Sequence, residues 1–421
     1  MQERLKILYL SNRVPYPPDK GDRIRTFHAI EHLAAAHDVY CACFASDESE
    51  MRQAERLRQW CRDVTVLRRG VPLACLHAAW GAVHGRPLTE SAYRSTEMYR
   101  RLRLWSLSIG FDVVVAFSSM MADYALTIPD CRRVIDLCDV DSEKWIDYSR
   151  ASRGLLAAGC RMEAERLRCL ETRCLREFDA SIVITENERR MIGAGEAGAV
   201  HVVPNGVRRI SESAICSADE CGPVIGFLGT MSYPPNVQAV RWFAERVWPL
   251  VQMKMADARF LVVGRRPTRA VRRLGRLPGI EVTGAVVDAT EYLARCRVIV
   301  APLRLARGIP NKVLEAMAAG RPVVSTRAVG LTLDATAGQE IVIADEPEQM
   351  AEQVIGLCTD DTRCRRIGMA GREFVRMRHH WPDAMLLFER IVTGCPAGER
   401  RTLPLDARIL PVGRSRQRQT V

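Results

Sequence analysis

Short apolar runs recur along the chain, with longer segments of helical spacing between them. The runs predict strands over 6–10, 38–44, 112–117, 133–138, 181–185 and 201–203, and after a break over 224–228, 259–263, 280–283, 297–301, 322–326 and 341–344. Most do not alternate polar with apolar positions, as expected of parallel strands covered on both faces. Segments 24–36, 51–61, 164–177, 237–253 and 312–319 carry apolar residues at helical period, and helices over 361–377 and 382–392 follow the last strand. This alternation in both halves predicts an α/β chain of two doubly wound, Rossmann-like domains. The polar stretch 207–222 (VRRISESAICSADECG) has no clear period and is placed as the linker. The expected units are therefore a domain over 1–206, the linker over 207–222, and a second domain over 223–378. A C-terminal helix over 379–395, free to pack back on the first domain, and a basic tail over 396–421 follow. The tail carries six Arg against Glu399 and Asp406 and reads as disordered.

Composition narrows the classes. With 48% hydrophobic and 26% charged residues over 421 positions, fibrous and wholly disordered chains are excluded. The net charge of +11 favours anionic partners: nucleic acid, anionic lipid or sugar nucleotides. Arg is dispersed and no nucleic-acid module is present, which argues against nucleic acid. Fifteen Cys include no C-x-x-C pair, and no secretory leader pattern opens the chain. The expectation is a cytoplasmic protein with reduced cysteines. The eight His are scattered and no metal cluster is read; His379 and His380, as neighbours on a helix, are expected to point apart at the surface. The charge-free stretch 70–85 is shorter than the ~20 residues that span a bilayer. On a helix its Leu73, Leu76, Trp80 and Val83 share a face, flanked by Arg68, Arg69 and Arg86. That face suits either packing or contact with an anionic membrane surface, so peripheral attachment to the inner membrane is a second expectation.

Gly193, Gly195 and Gly198 match G-x-G-x-x-G letter for letter. A dinucleotide fingerprint must follow a strand and open a helix, whereas these glycines follow a helical segment and precede a strand. They read as a helix-to-strand loop.

The strongest local constellation runs from Arg304 through Lys312 and Glu315 to Gly320, between two predicted strands. Asn311 suits an N-cap and Gly320 a C-terminal stop. A short helix so placed opens at the carboxyl end of a strand, where α/β sheets bind ligands and where free amides suit phosphate. Lys312 fits a phosphate and Glu315 a diol; the alternative is a surface i,i+3 ion pair.

The run GIPNKVLEAMAAGRPVVST (308–326) resembles the donor-binding signature of the retaining, nucleotide-sugar-dependent glycosyltransferases of family 4, which have the GT-B fold. Pro204-Asn205-Gly206-Val207, Phe227-Leu-Gly229, Phe260-Leu-Val-Val-Gly264 and Ile280-Glu-Val-Thr-Gly284 match in the same order. The first half is similar to a narrower group, the sugar transferases of bacterial exopolysaccharide and PEP-CTERM/exosortase loci. SNRVPYPPDKGDRIR (11–25), FSSMMADYA (117–125) and IDLCDVDSEKW (135–145) carry that likeness.

The resemblance implies two Rossmann-like domains facing a central cleft, with the donor mostly on the second and a glycan or lipid-linked acceptor on the first. It implies that Glu315 holds the ribose hydroxyls and that Lys312 and the helix amides meet the diphosphate. Gly21 lies in the glycine loop near the phosphates, and Asp139 lies near the position of a histidine beside the transferred sugar. Asp136 and Asp141 are alternatives to Asp139, although Asp141-Ser142 also suits a helix cap. Gly229, Gly264, Gly308 and Asn311 complete the expected donor site. Two departures are plain: the first Glu of the family's E-x7-E is here Arg307, and no Arg/Lys pair follows Gly229. Arg307, Arg265, Arg304 and Arg23 are the candidate replacement cations, and Arg307, Asp139 and Glu315 the candidate catalytic residues. The expected activity is retaining transfer of a hexose-like sugar to a growing glycan, with no cofactor and no metal. A catalytically impaired homologue serving as a binding or assembly module is the alternative.

Overall fold

The structure, a computed structural model, describes residues 4–193, 199–208, 221–304, 306 and 308–394. Most of the expected linker, the five loop residues after Gly193, Arg307 and the tail from 395 onwards fall outside the described residues.

The first domain is built on seven parallel strands: β1 (Lys6–Ser11), β2 (Asp38–Ala45), β3 (Asp63–Arg68), β4 (Val113–Phe117), β5 (Arg132–Cys138), β6 (Ala180–Val183) and β7 (Ala199–Val202). Their order across the sheet is β3-β2-β1-β4-β5-β6-β7. The second domain holds β8 (Val224–Leu228), β9 (Arg259–Val263), β10 (Ile280–Gly284), β11 (Val298–Ala301), β12 (Val323–Ser325) and β13 (Val342–Ile343), in the order β10-β9-β8-β11-β12-β13. Both sheets are doubly wound. Their order reverses between β1 and β4 and between β8 and β11, the crevice positions where such sheets bind ligands.

Two elements depart from the sequence-based expectation. Strand β3 was not expected: as an edge strand it is only partly buried, so its residues (DVTVLR) lack the continuous apolar run of the central strands. The helix expected over 237–253 is interrupted. Pro234–Trp242 passes into a wide π-turn, Phe243–Val247, before Trp248–Lys254 resumes. Pro249 explains this, because a proline inside a helix lacks the N–H and crowds the carbonyl four residues earlier.

The C-terminal helix Trp381–Thr393 leaves the second domain and packs on the first. Trp381, Met385, Phe388 and Val392 lie in one buried cluster with Ile7, Phe27 and Ile30. On the same helix, Glu389 accepts from His32 Nε2 at 2.9 Å and His37 Nε2 at 3.2 Å. The two crossings between domains run side by side: Val207 N donates to His379 O at 2.8 Å, and a Cβ on Gly206 would overlap the backbone of Trp381. His379 is therefore not a surface residue. It is 4% exposed, and its Nδ1 pairs with the Asn205 carbonyl at 2.8 Å, because it ends one helix beside the crossing instead of lying along a helix face. Burial lowers its pKa.

The helix Val71–Val83 packs through its small residues Ala74 and Gly81, not through the apolar face read from the sequence. Leu73, Leu76, Trp80 and Val83 are all exposed. Among the described residues no helix is long and apolar enough to cross a membrane.

Candidate functional site

The site forms where the switch points of the two sheets face each other. The helix Asn311–Ala318 follows β11, and its N-cap is Pro310, not Asn311. Pro310 takes that role because its extended backbone (ψ 102°) turns its carbonyl onto Val313 N and Leu314 N. Its first turn therefore has no capping side chain. Asn311 Oδ1 is buried and, among the described residues, has no hydrogen-bond partner. Gly320, at φ +65°, ends the helix as expected.

Lys312 turns away from solvent. Its Nζ donates to Asn236 Oδ1 and lies 4.5 Å above the ring of Phe227. Burial pulls its pKa down to about 7, with Glu315 acting in the opposite sense. Burial likewise pushes Glu315 up to about 7, opposed by Lys312. The pair makes no ion pair within 4.0 Å among the described residues, so the surface i,i+3 bridge is not what the structure contains. Among the described residues neither charge has an ionic partner, and the helix start beside them has no capping side chain. An anion with hydroxyls one turn further on would satisfy all of them.

Gly229 and Gly264, at the ends of β8 and β9, make this arrangement possible. A Cβ on Gly264 would overlap the Gly229 carbonyl, and one on Gly229 would stand 2.6 Å from Asn236 Nδ2 and 3.2 Å from Lys312 Nζ. Asn236 is held in turn by its Nδ2 bond to Thr230 O at 3.0 Å.

The first domain supplies the opposite wall. Gly21 opens the helix Gly21–Ala36 and faces Asn311, whose Nδ2 lies 3.5 Å from where a Cβ would stand. That is ordinary contact, so the protein's own packing does not require glycine there. Arg265 reaches across to Asp19, with Nη1 2.8 Å from Oδ2. Arg23 is 4% exposed and bound to Glu50, with Asp19 at 3.5 Å, so it is not a free cation for a ligand. Arg304 is exposed.

The three aspartates separate cleanly. Asp136 is consumed: its carboxylate takes two bonds from Arg25, at 2.7 and 3.1 Å, with both side chains fully buried. Asp141 begins the helix Asp141–Ala151 but caps nothing; the amide of Ser142 is taken by Glu171 at 2.9 Å. Asp139 meets the second domain. Gly308, at φ +62°, packs so tightly on it that a Cβ would overlap Asp139 Oδ1. Burial raises the Asp139 pKa, opposed by Lys144 and Arg25.

A cavity of about 530 Å³ opens beside these groups, lined by Asn311, Glu315 and Leu293 of the second domain and by Ile24, His28 and Trp381. The structure thus gathers Gly21, Asp139, Arg265, Gly308, Asn311, Lys312 and Glu315 around one cleft. Sequence reasoning missed Asn236, Phe227 and Asp19, which are ordinary residues until folding sets them against Lys312 and Arg265. Among the described residues no group of three or more His, Cys, Asp or Glu is placed to hold a metal ion.

Residues 222–360 match the family described as Glycosyl transferases group 1. The whole chain is similar in structure to sucrose-phosphate synthase from Thermosynechococcus elongatus, with TM-score 0.65 and 16% identity over 92% of this chain and 98% of that one. It is also similar to HepE from Anabaena, solved in complex with UDP and glucose, with TM-score 0.64 and 15% identity over 93% and 100% of the two chains. A glycosyltransferase from Rickettsia africae gives TM-score 0.61 at 11% identity, over 94% and 100%. A search of curated protein sequences gave no match. The chain has the GT-B fold of two Rossmann-like domains, and the match to glycosyl transferases group 1 falls within the second of them.

Proposed function

We propose that this protein transfers a sugar, with retention, from a nucleotide diphosphate sugar to a growing bacterial polysaccharide or lipid-linked glycan. The observation that carries the reading is Lys312 and Glu315: two under-compensated charges one turn apart, on an uncapped helix N-terminus that lines an inter-domain cavity. The family match over this segment supports it, as does the likeness to HepE, a protein solved with UDP-glucose.

In this reading Lys312, the free amides at Asn311 and Arg265 hold the diphosphate and stabilise the charge that grows on it as the sugar departs. Glu315 accepts from the ribose hydroxyls. The first domain holds the acceptor, and Asp139 stands beside the transferred sugar. Catalysis rests on positioning and on neutralising the leaving group, with no metal required. A thermal-shift screen with UDP-, GDP-, ADP- and TDP-sugars tests the reading, since a ligand at 100 times its Kd adds ~2.7 kcal/mol. Stabilisation by one donor class, followed by its turnover, is the expected result. Binding without turnover would assign the protein to the binding or assembly role, and no response to any donor would overturn both.

The exposed apolar face of Val71–Val83, flanked by Arg68, Arg69 and Arg86, supports a peripheral seat on an anionic membrane, where a lipid-linked acceptor would be found.

A further inference from the structure

We propose that the arginine face of the short helix Arg269–Leu274 binds an acidic polysaccharide, so that a growing glycan bearing carboxylate or phosphate groups is held on the second domain beside the cleft. The site stands on its own geometry; naming the growing glycan as its occupant rests on the transferase reading above.

Residues 265–280 hold six Arg and no Asp or Glu. Arg269, Arg272, Arg273 and Arg276 recur at the spacing of one helix face, while Val271 and Leu274 are buried on the other. All four arginines are exposed, and together they line a cavity of about 410 Å³. The backbone beneath them is fixed at both ends. Thr268 caps the helix by accepting from Val271 N at 3.4 Å, and its own amide donates to Met231 O at 3.3 Å. Beyond the helix, Trp248 Nε1 and Gln252 Nε2 both donate to Pro278 O, at 3.0 and 2.9 Å. The guanidinium groups therefore spring from a pinned scaffold, which lowers the ordering cost of gathering them round a ligand.

No charge of the described protein answers them. Among the described residues none of the four lies within 4.0 Å of a carboxylate, and none donates a side-chain hydrogen bond. Other arginines on helix surfaces are paired: Arg100 and Arg101 with Glu97, Arg173 with Glu177, Arg241 with Glu245 and Arg376 with Glu373. Here Arg269 and Arg273, and again Arg272 and Arg276, are like charges four residues apart, a spacing that destabilises a helix. Arg269 also opens the helix at the end where the backbone dipole is positive. A multivalent anion relieves all of these conflicts, and guanidinium forks match carboxylate and phosphate oxygens in pairs.

Two features choose the class of ligand. The cavity is lined by arginine alone, without an aromatic ring on which a nucleic-acid base could stack. Val271 and Leu274 point into the core, so the helix offers no exposed apolar face of the kind that Val71–Val83 presents. A polymer whose charges sit on hydrophilic units fits what remains. Position names that polymer: Arg265, which spans the cleft mouth to Asp19, lies four residues before Arg269. A glycan leaving the cleft on this side meets the arginine face next.

The test uses the full chain and polygalacturonate as the probe, with neutral dextran, phosphatidylglycerol vesicles and single-stranded DNA as comparisons. The wild type should bind polygalacturonate and not dextran, with an affinity that falls as salt rises. Changing all four residues (Arg269→Gln, Arg272→Gln, Arg273→Gln and Arg276→Gln) should weaken binding at least ~10-fold, the loss of four exposed charge pairs. Arg272→Gln with Arg273→Gln should give an intermediate loss. The fourfold variant should melt no lower than the wild type, because like-charge repulsion has been removed, and its affinity for UDP should be unchanged. A charge-matched control in the tail (Arg400→Gln, Arg401→Gln, Arg408→Gln and Arg414→Gln) should keep its polygalacturonate binding, which separates a site from net charge. Undiminished binding in the fourfold variant, or an equal loss in the tail control, overturns the proposal. Tighter binding of vesicles or DNA than of polygalacturonate, lost in the fourfold variant, overturns the glycan as occupant. If UDP-glucose and other donors are not turned over, the transferase reading falls, while the polygalacturonate result still decides whether this face is a binding site.

Discussion

Arg265 and Asp19 join the two domains across the mouth of the cleft: Nη1 stands 2.8 Å from the Asp19 carboxylate, and Nη2 donates to the Asp19 carbonyl at 3.2 Å. A carboxylate thus occupies the guanidinium that our reading assigns to the donor diphosphate. Asp19→Asn should tighten binding of that donor about fivefold, ~1 kcal/mol after allowing for solvent screening of a partly exposed pair. Arg265→Ala should weaken it. Titration calorimetry on both variants decides, and a weaker Asp19→Asn would make Asp19 part of the scaffold and not a stand-in for the ligand.

Glu315→Gln should cost ~1.5–3 kcal/mol of donor affinity, the loss of one charged hydrogen bond to the ribose. The pH dependence has two limbs. Lys312, pulled down to about 7, loses its charge as pH rises, and Glu315, pushed up to about 7, loses its charge as pH falls. Donor affinity should therefore peak near neutrality. Lys312→Met should remove the alkaline limb and leave the acid one; if calorimetry shows the same alkaline decline in that variant, another group titrates.

Arg25 and Asp136 hold each other with both side chains fully buried, and Arg25 also ties down Val203 O and Asn205 beside the domain crossing. Arg25→Met alone should destabilise the protein by ~3–5 kcal/mol, because it leaves Asp136 buried and uncompensated. Adding Asp136→Leu should recover much of the loss. A double variant melting no higher than the single one would place the damage in the crossing segment.

Arg307 stands eight positions before Glu315, where the family it resembles has a glutamate. If it is the replacement cation for the diphosphate, Arg307→Glu should lower kcat/KM more than Arg307→Ala does. Wild-type activity in Arg307→Glu would leave phosphate neutralisation to Arg265 and Lys312.

Membrane attachment predicts additive losses. Truncation after Cys395 removes six Arg, each worth ~1 kcal/mol near anionic lipid before discounting. Leu76→Glu with Val83→Glu charges the exposed helix face. Both changes should reduce co-sedimentation with anionic liposomes at low salt, and equal sedimentation of all forms would exclude this surface.

Much of the architecture was legible because it rests on local chemistry. Central strands such as Ile7–Leu10 and Val113–Phe117 are buried on both faces, so they read as continuous apolar runs. The edge strand β3, half in water, did not. Gly320 announced a helix end through its own conformational freedom, yet the N-cap of that helix fell on Pro310, one residue from where Asn311 suggested. Backbone geometry before a proline-led turn decides that register, and side-chain preference does not.

By itself the sequence determined the two alternating halves, the switch-point helix and the placing of Lys312 and Glu315 one turn apart, because each depends on spacing within a single element. Only the tertiary structure decided which charges are free to meet a ligand. Arg23, Arg265 and Asp136 look alike on the page as candidate site residues, but Glu50, Asp19 and Arg25 claim them from positions 27, 246 and 111 residues away. Burial then acts on what remains, bringing Lys312 and Glu315 both to about 7. Partnership and desolvation are properties of neighbours in space, so no reading along the chain could assign them.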